Sequence, residues 1–466
     1  MEGRPLSRLV VISNRVQPAS AAASGAQGGL AVALLAALRE HGGVWFGWSG
    51  ETTPEFTGAI DLQQGGGVTT ATIDLEEQDY DEYYNGFANR TLWPLFHYRI
   101  DLTQFERDFE GGYKRVNCRF AETVVPLIEP GDLVWVHDYH LIALGDELRR
   151  RGVKNRIGFF LHIPWPPMRL LLSLPSHREL VESLFAYDVI GFQTRDWLES
   201  FLDYVRGQLD AEISDDGVIT IEGRSVRAIA APIGIETAAF EESANSQAAA
   251  HACQRMWMSS TGRSLLVGVD RLDYSKGLPE RFQGFERFLA QHADLRGLVY
   301  MLQIAPPSRE KVDTYQEIRA TLDGLSGRIN GEYSDIDYVP IRYVNQGYPR
   351  EVLAGIFRAA RVGLVTPLRD GMNLVAKEYV AAQDPEDPGV LLLSTFAGAA
   401  EQLTEALLVN PYSAEEMADA IATALSMPLA ERKRRWEALI DNVRREDVFW
   451  WRDCFLGALE SQPVPA

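Results

Sequence analysis

The 466-residue sequence predicts an α/β protein built from two doubly wound domains. Three observations carry that expectation. The first is a series of short runs that are apolar throughout rather than alternating, as strands of a parallel sheet covered on both faces are. They are Leu9–Ile12, Leu133–Val136, Ile157–Leu161, Val189–Phe192, Leu265–Val269, Val299–Ile304, Val362–Val365 and Val390–Leu393. The second is that helical patterns separate these runs: Leu30–Glu40, Leu141–Arg150, Trp197–Val205, Pro279–Ala290 and Leu374–Gln383. Alternation of that kind is what a doubly wound sheet requires. The third is a break in the pattern at Pro232-Ile233-Gly234, followed by the polar, alanine-rich segment Glu241–Ala250. Domains of roughly 100–200 residues allow two or three in this length. The boundary is placed between about Gly234 and Gly262, giving domains 1–240 and 241–450. A helical tail is expected from Ala430 to Leu459, carrying Trp436, Trp450 and Trp451.

Composition narrows the function. Hydrophobic residues make up 46% of the chain, enough to bury sizeable cores. The net charge of −20, from 65 acidic and 45 basic residues, disfavours general binding to nucleic acid or an anionic membrane, which need a positive field. It leaves room for an anionic small substrate held by a few arginines. The cluster Arg432–Arg435 reads as a solvated helix face. Cys118, Cys253 and Cys454 form no CxxC pair, so no disulfide framework or zinc site is expected, and a reducing cytosol fits. The apolar stretch Leu30–Leu38 is far short of the ~18 residues of a membrane span. Leu9–Ile12 is followed at once by Ser13-Asn14-Arg15, which does not make a signal peptide. A cytoplasmic protein is expected. Ala19–Ala26 reads as an Ala/Ser/Gly loop.

Open α/β sheets bind ligands beyond the carboxyl ends of their strands, so the residues after each apolar run are the candidates. Asp270-Arg271-Leu272-Asp273-Tyr274-Ser275-Lys276-Gly277 follows one of them. Arginine's planar fork and lysine's point charge suit a diphosphate. The alternative is a structural ion pair from Arg271 to Asp270 or Asp273, with Lys276 solvated. Arg369-Asp370-Gly371-Met372-Asn373 follows another, with Gly371 permitting a tight turn and Asn373 capping the next helix. The free N–H groups of that helix form an anion site, and Glu378 reaches back toward ribose hydroxyls. The alternative is an ordinary capped helix with Glu378 exposed. Gly28-Gly29 at a helix start lets a phosphate approach the backbone. No GxGxxG follows a strand, against a dinucleotide oxidoreductase.

His137-Asp138-Tyr139-His140 and His162 end two further runs and suit sugar hydroxyls, or else pack as partly buried groups with one hydrogen bond each. Asp79-Tyr80-Asp81 and Asp335-Ile336-Asp337 match a short DxD pattern but read as solvated carboxylates in so acidic a chain. No metal site and no cofactor are expected.

These residues, with Trp45-Phe46-Gly47-Trp48-Ser49-Gly50, Tyr83-Tyr84-Asn85, Leu92-Trp93-Pro94, Phe160-Leu161-His162-Ile163-Pro164 and Gly327-Arg328-Ile329-Asn330-Gly331, stand in an order that resembles the trehalose-6-phosphate synthases. The resemblance runs from about Leu9 to Leu456. It implies the GT-B fold, two Rossmann-like domains facing a central cleft, with a C-terminal helix, 451–466, crossing back to the first. It implies a retaining transfer of glucose from a nucleotide-glucose, UDP-glucose foremost, to glucose 6-phosphate. Domain 1–240 would then take the acceptor and 241–450 the nucleotide-sugar.

On this resemblance Arg271 and Lys276 hold the donor diphosphate. Gly28, Gly29, Asp370, Gly371, Met372, Asn373, Leu374 and Val375 line the donor site, with Glu378 on the ribose and His162 near the glucose. Tyr348, where many relatives have Phe, lies near the base. Arg15, Tyr84, Trp93, Asp138 and Arg309 hold glucose 6-phosphate. The catalytic set is Asp138, His162, Arg271 and Lys276, and the implied chemistry is a metal-independent front-face displacement. Glycerol 3-phosphate or a cyclitol phosphate as acceptor, or a non-catalytic sugar-phosphate sensor, are the alternatives. A pyridoxal-dependent phosphorylase shares the architecture, but no lysine stands out for a Schiff base. Partners beyond donor and acceptor are not implied, and a homo-oligomer is left open.

Overall fold

In the computed structural model the described residues are 7–16, 29–65, 67–307 and 313–463. They form two compact units, one ending at Ile233 and resuming at Phe449, the other running Gly234–Val448. The divisions fall at 233/234 and 448/449.

The first unit contains β1 (Leu9–Arg15), β2 (Gly43–Thr53), β3 (Asp61–Gly65), β4 (Val68–Glu76), β5 (Leu133–His137), β6 (Arg156–Phe160), β7 (Val189–Phe192), β8 (Glu212–Ile213), β9 (Val218–Ile221) and β10 (Arg224–Ala230). Among the described residues these make one sheet in the order β3-β4-β2-β1-β5-β6-β7-β10-β9-β8. The strands from β4 to β10 in that order are parallel, and antiparallel strands close both edges. The chain leaves β1 for β2 on one side and later returns to β5 on the other. The β1/β5 gap is thus the topological switch point, where doubly wound sheets open a crevice at their carboxyl ends.

The second unit repeats the plan with β11 (Ser264–Val269), β12 (Val299–Ile304), β13 (Ile341–Val344), β14 (Val362–Val365), β15 (Val390–Ser394) and β16 (Leu407–Val409). Their order is β13-β12-β11-β14-β15-β16, every pair parallel. Its switch point lies between β11 and β14.

The expected tail is two helices, Leu429–Arg445 in the second unit and Val448–Glu460, whose residues from Phe449 belong to the first. The second helix seats Phe455 on two sheet glycines. A Cβ at Gly158 would meet the Phe455 ring at 2.6 Å, and one at Gly191 at 2.8 Å. Trp135 of β5 stacks on the same ring at 4.8 Å. Glycine is needed at these strand positions because the helix approaches the backbone so closely.

Two surface readings are corrected. Asp79 is not a solvated carboxylate: it is fully buried, 2.7 Å from Arg115 and paired also with Arg119. Its burial depends on two arginines of the helix Arg107–Val124, which local sequence does not announce. Nor is Arg432–Arg435 a free solvated face. Arg432 is buried against Asp387, Lys433 pairs with Glu386, and Arg434 and Arg435 pair with Glu431. The three cysteines are free thiols. Among the described residues no helix is long and apolar enough to cross a membrane.

A buried ion pair fixes the floor of the second switch point. Arg281, fully buried in the helix Leu278–Gln291, donates to Asp270 at 2.5 Å, Thr366 at 2.9 Å and Gln303 at 2.8 Å. Burial pushes the Asp270 carboxyl pKa up, and the Arg281 guanidinium works against that. Arg281→Met leaves Asp270 uncompensated and is expected to cost about 3–5 kcal/mol of stability. Adding Asp270→Asn should recover part of the loss, measured by denaturant midpoint.

Candidate active site

The first switch point gathers residues from β1 and β5. β1 runs past Ile12 to Ser13-Asn14-Arg15, where the register with β2 shifts before pairing resumes at Arg15 and Trp48. Trp45 Nε1 donates to Ser13 Oγ at 2.8 Å and the Tyr83 hydroxyl to Asn14 Oδ1 at 2.7 Å. Arg15 is exposed, with its guanidinium 5.6 Å from the Trp48 ring centroid. A Cβ at Gly50, where φ is +101°, would lie 2.4 Å from the Arg15 Nη2, so Gly50 makes room for this arginine.

Tyr84 sits 5.3 Å from Trp48 and stacks on His140 at 5.9 Å. It is carried by Tyr80–Leu92, a run of wide π-helical turns, a geometry that tends to mark functional sites. Gly112 admits that helix: a Cβ there would meet Glu82 at 2.4 Å. Trp93 follows directly and is buried against His97 and Tyr139.

Asp138 follows β5 with φ 75° and ψ 165°, a conformation that costs non-glycine residues about 1–3 kcal/mol and clusters at functional sites. Its N–H is held by the Phe160 carbonyl at 2.8 Å, and its carboxylate accepts the His162 N–H at 3.2 Å. The His162 ring lies 3.1 Å from His137 Nδ1 and 3.1 Å from Gln193 Nε2. Surrounding protein holds its pKa down at about 3. His162 therefore has a contact on each ring nitrogen, whereas His137 is the buried residue with one side-chain hydrogen bond that sequence alone allows.

At the second switch point the two loops are tied together. Lys276 Nζ meets Asp370 Oδ2 at 2.5 Å, so Lys276 is not solvated. Asn373 donates to the same carboxylate at 3.1 Å and caps the helix Leu374–Ala382 by accepting from the Ala376 N–H. The Leu368 N–H donates to the Ser275 carbonyl at 2.8 Å, and Gly277, at φ +63°, lets the Thr366 carbonyl approach. Asp270 and Asp273, the alternative partners for Arg271, have other contacts: Asp270 the buried Arg281, Asp273 the Ser275 N–H and the Tyr315 hydroxyl. Arg271 itself is exposed.

Gly371 and Met372 are buried in the same loop, while Leu374 and Val375 open the helix half-buried. Glu378, one and a half turns in, is half-buried rather than exposed, and burial pushes its pKa up to about 7 against the opposing charge of Arg350. Tyr348 accepts a hydrogen bond from Gln346 at 2.8 Å. Gly29 begins the helix Gly29–His41, whereas Gly28, Arg309 and the loop Ala19–Ala26 lie outside the described residues. Sequence reasoning missed Arg281, Gln193 and the Trp48/Tyr80 pair around Tyr84. Gln193 directly follows the apolar run Val189–Phe192, so the strand-end rule would have found it.

Two switch points, one ringed by an arginine, aromatic rings and a strained aspartate, the other by a lysine, a capped helix and a half-buried glutamate, suit two different ligands. Residues 7–461 match the model of Glycosyltransferase family 20. The trehalose-6-phosphate synthase of Sinorhizobium fredii is 50% identical over 97% of this chain and 98% of its own. A UDP-forming alpha,alpha-trehalose-phosphate synthase from Burkholderia xenovorans, solved in complex with glucose-6-phosphate, matches with TM-score 0.94 and 50% identity over 98% of this chain and 100% of that one. The Escherichia coli structure bound with UDP-2-fluoro glucose matches with TM-score 0.94 and 46% identity, again over 98% and 100%. The two α/β units have the GT-B fold of these neighbours. With identity and coverage of this order along the whole chain, the protein belongs to glycosyltransferase family 20, the trehalose-6-phosphate synthases.

Proposed function

We propose that the chain transfers glucose from UDP-glucose to glucose 6-phosphate with retention, giving alpha,alpha-trehalose 6-phosphate and UDP. The observation that carries this reading is the pairing of Lys276 with Asp370 across the β11/β14 switch point, beside the Asn373-capped helix start. Two cationic side chains, Arg271 and Lys276, and free helix N–H groups neutralise a departing diphosphate without a metal. The acceptor O1 attacks the donor C1 from the face the diphosphate leaves. The bond from C1 to the diphosphate oxygen breaks, and the acceptor proton passes to a diphosphate oxygen. The protein positions the two substrates and stabilises charge.

The first unit takes the acceptor: Arg15 pairs with its phosphate, and Tyr84, Trp93 and Asp138 hold its ring. The second takes the nucleotide-sugar, with the Asp370–Val375 segment around the diphosphate and glucose, Glu378 on the ribose and Tyr348 near the base. His162 lies beside the donor glucose. The protein acts in the cytoplasm. Purified chain incubated with UDP-glucose and glucose 6-phosphate is expected to release UDP and trehalose 6-phosphate, identified by mass spectrometry, and to keep doing so after exhaustive chelation. UDP release with glycerol 3-phosphate but not glucose 6-phosphate would overturn the acceptor.

Glu378 gives a pH signature. Below about 7 the unliganded group holds its proton, and above it is a carboxylate. A charged acceptor makes the stronger hydrogen bond to ribose hydroxyls. Donor KM is therefore expected to rise as pH falls from 8 to 6, and Glu378→Gln to flatten that dependence. A wild-type donor KM unchanged over this range removes Glu378 from the ribose.

A further inference from the structure

Behind the candidate site runs a chain of buried hydrogen bonds whose donors and acceptors can be assigned from one end. The Ile233 backbone N–H, which can only donate, meets Gln193 Oε1 at 2.9 Å. That fixes the orientation of the Gln193 amide, so its Nε2, 3.1 Å from His162 Nδ1, is the donor there. His162 Nδ1 must then be an unprotonated acceptor. The ring proton sits on Nε2, which donates to His137 Nδ1 at 3.1 Å. His137 in turn carries its proton on its own Nε2, which is buried with no hydrogen-bond partner among the described residues, under the Trp135 and Trp451 rings. Gln193 and His137 are both at most 1% exposed, and His162 between them is half-buried.

We propose that Gln193 is a positioning residue: anchored on the Ile233 amide, it holds His162 as the neutral Nε2–H tautomer and sets the polarity of the His137–His162 pair. Ile233 is the last residue before the second unit begins at Gly234, so the reference point for the site histidine is the chain's exit from the first unit. The other groups facing His162 are His137, the Asp138 carboxylate on its backbone N–H, and the uncharged rings of Phe160 and Trp451. An imidazolium would set an Nδ1–H against the Gln193 N–H. His162 therefore meets the donor sugar as a neutral ring that does not transfer a proton. This last step rests on the proposed function, in which the diphosphate takes the acceptor's proton.

The test is NMR of histidine-ring nitrogens in full-length, histidine-labelled protein, with the His162 signal identified by its loss in His162→Asn. In the wild type, Nδ1 should be unprotonated and Nε2 protonated from about pH 5 to about pH 9, without titration. Gln193→Glu keeps an acceptor for Ile233 but presents only lone pairs to His162. Nδ1 should become protonated, His137 should reverse with it, and kcat should fall at least about tenfold. That is less than the ~10⁴ a wrong tautomer costs where the histidine is itself the base. Gln193→Met should give mixed tautomers and a comparable loss of kcat, and serves if Gln193→Glu folds poorly. A wild-type Nδ1–H or imidazolium overturns the assignment, as does an unmoved tautomer in Gln193→Glu. A reversed tautomer with unchanged kcat overturns the positioning role. A wild-type protein that transfers no glucose but shows the Nε2–H ring sinks the proposed function alone.

Discussion

Lys276→Ala is expected to lower kcat about 10²–10³-fold, the loss typical of removing one donor from a site where negative charge develops. The structure sharpens how this can be told from simple damage. Lys276 Nζ lies 2.5 Å from Asp370, which also holds the Asn373 cap, so deleting the lysine takes the ion pair away from a half-buried carboxylate. Stability should fall as well. Adding Asp370→Asn removes the carboxylate's charge and should recover part of the melting temperature while leaving kcat low. If the double variant regains kcat together with stability, the lysine serves the fold and not the diphosphate. Arg271→Ala, at an exposed position, should show the kcat loss with little change in stability.

Asp138→Asn should cut kcat/KM for glucose 6-phosphate about 10–150-fold. Asparagine is isosteric with aspartate, so it bears the φ of 75° as the native residue does, and it keeps an oxygen for the His162 N–H, so the backbone around it should hold. What it loses is a charged acceptor for sugar hydroxyls, worth about 1.5–3 kcal/mol. Asp138→Ala should lose more, because it adds the cost of a left-handed backbone at a residue with no compensating side chain. Donor KM should change little in Asp138→Asn. Equal losses for donor and acceptor would remove Asp138 from the acceptor pocket.

Much of this architecture is legible in the sequence because the central parallel strands are buried on both faces. Val189–Phe192, Val299–Ile304 and Val362–Val365 are strands with those bounds. The runs fail where one face meets solvent. β3 is exposed along its length, and β2 mixes Trp, Gly, Ser and Thr, so neither reads as an apolar run. The strand-end rule finds Arg15, Asp138, His162, Lys276 and Asp370 because the switch points lie at carboxyl ends. It cannot find Arg281 or the pairing of Asp79, whose burial is decided by partners from other elements. The π-helical turns under Tyr84 are equally silent, and so is the glycine of another helix, Gly112, that leaves room for Glu82.

The seating of Phe455 on Gly158 and Gly191 has a consequence for synthesis on the ribosome. The first unit's sheet is complete by Ala230, yet part of its core belongs to residues from Phe449 onward. At about 5–20 residues per second, the sheet waits roughly 10–40 s before its covering helix emerges. During that time the strip of β5–β7 beneath Trp451 and Phe455 is bare apolar surface of the kind holding chaperones recognise. The second unit has no such wait, since its strands end at Val409 and its last two helices, Ala414–Ser426 and Leu429–Arg445, follow within 36 residues of it. The half translated first is therefore the half finished last.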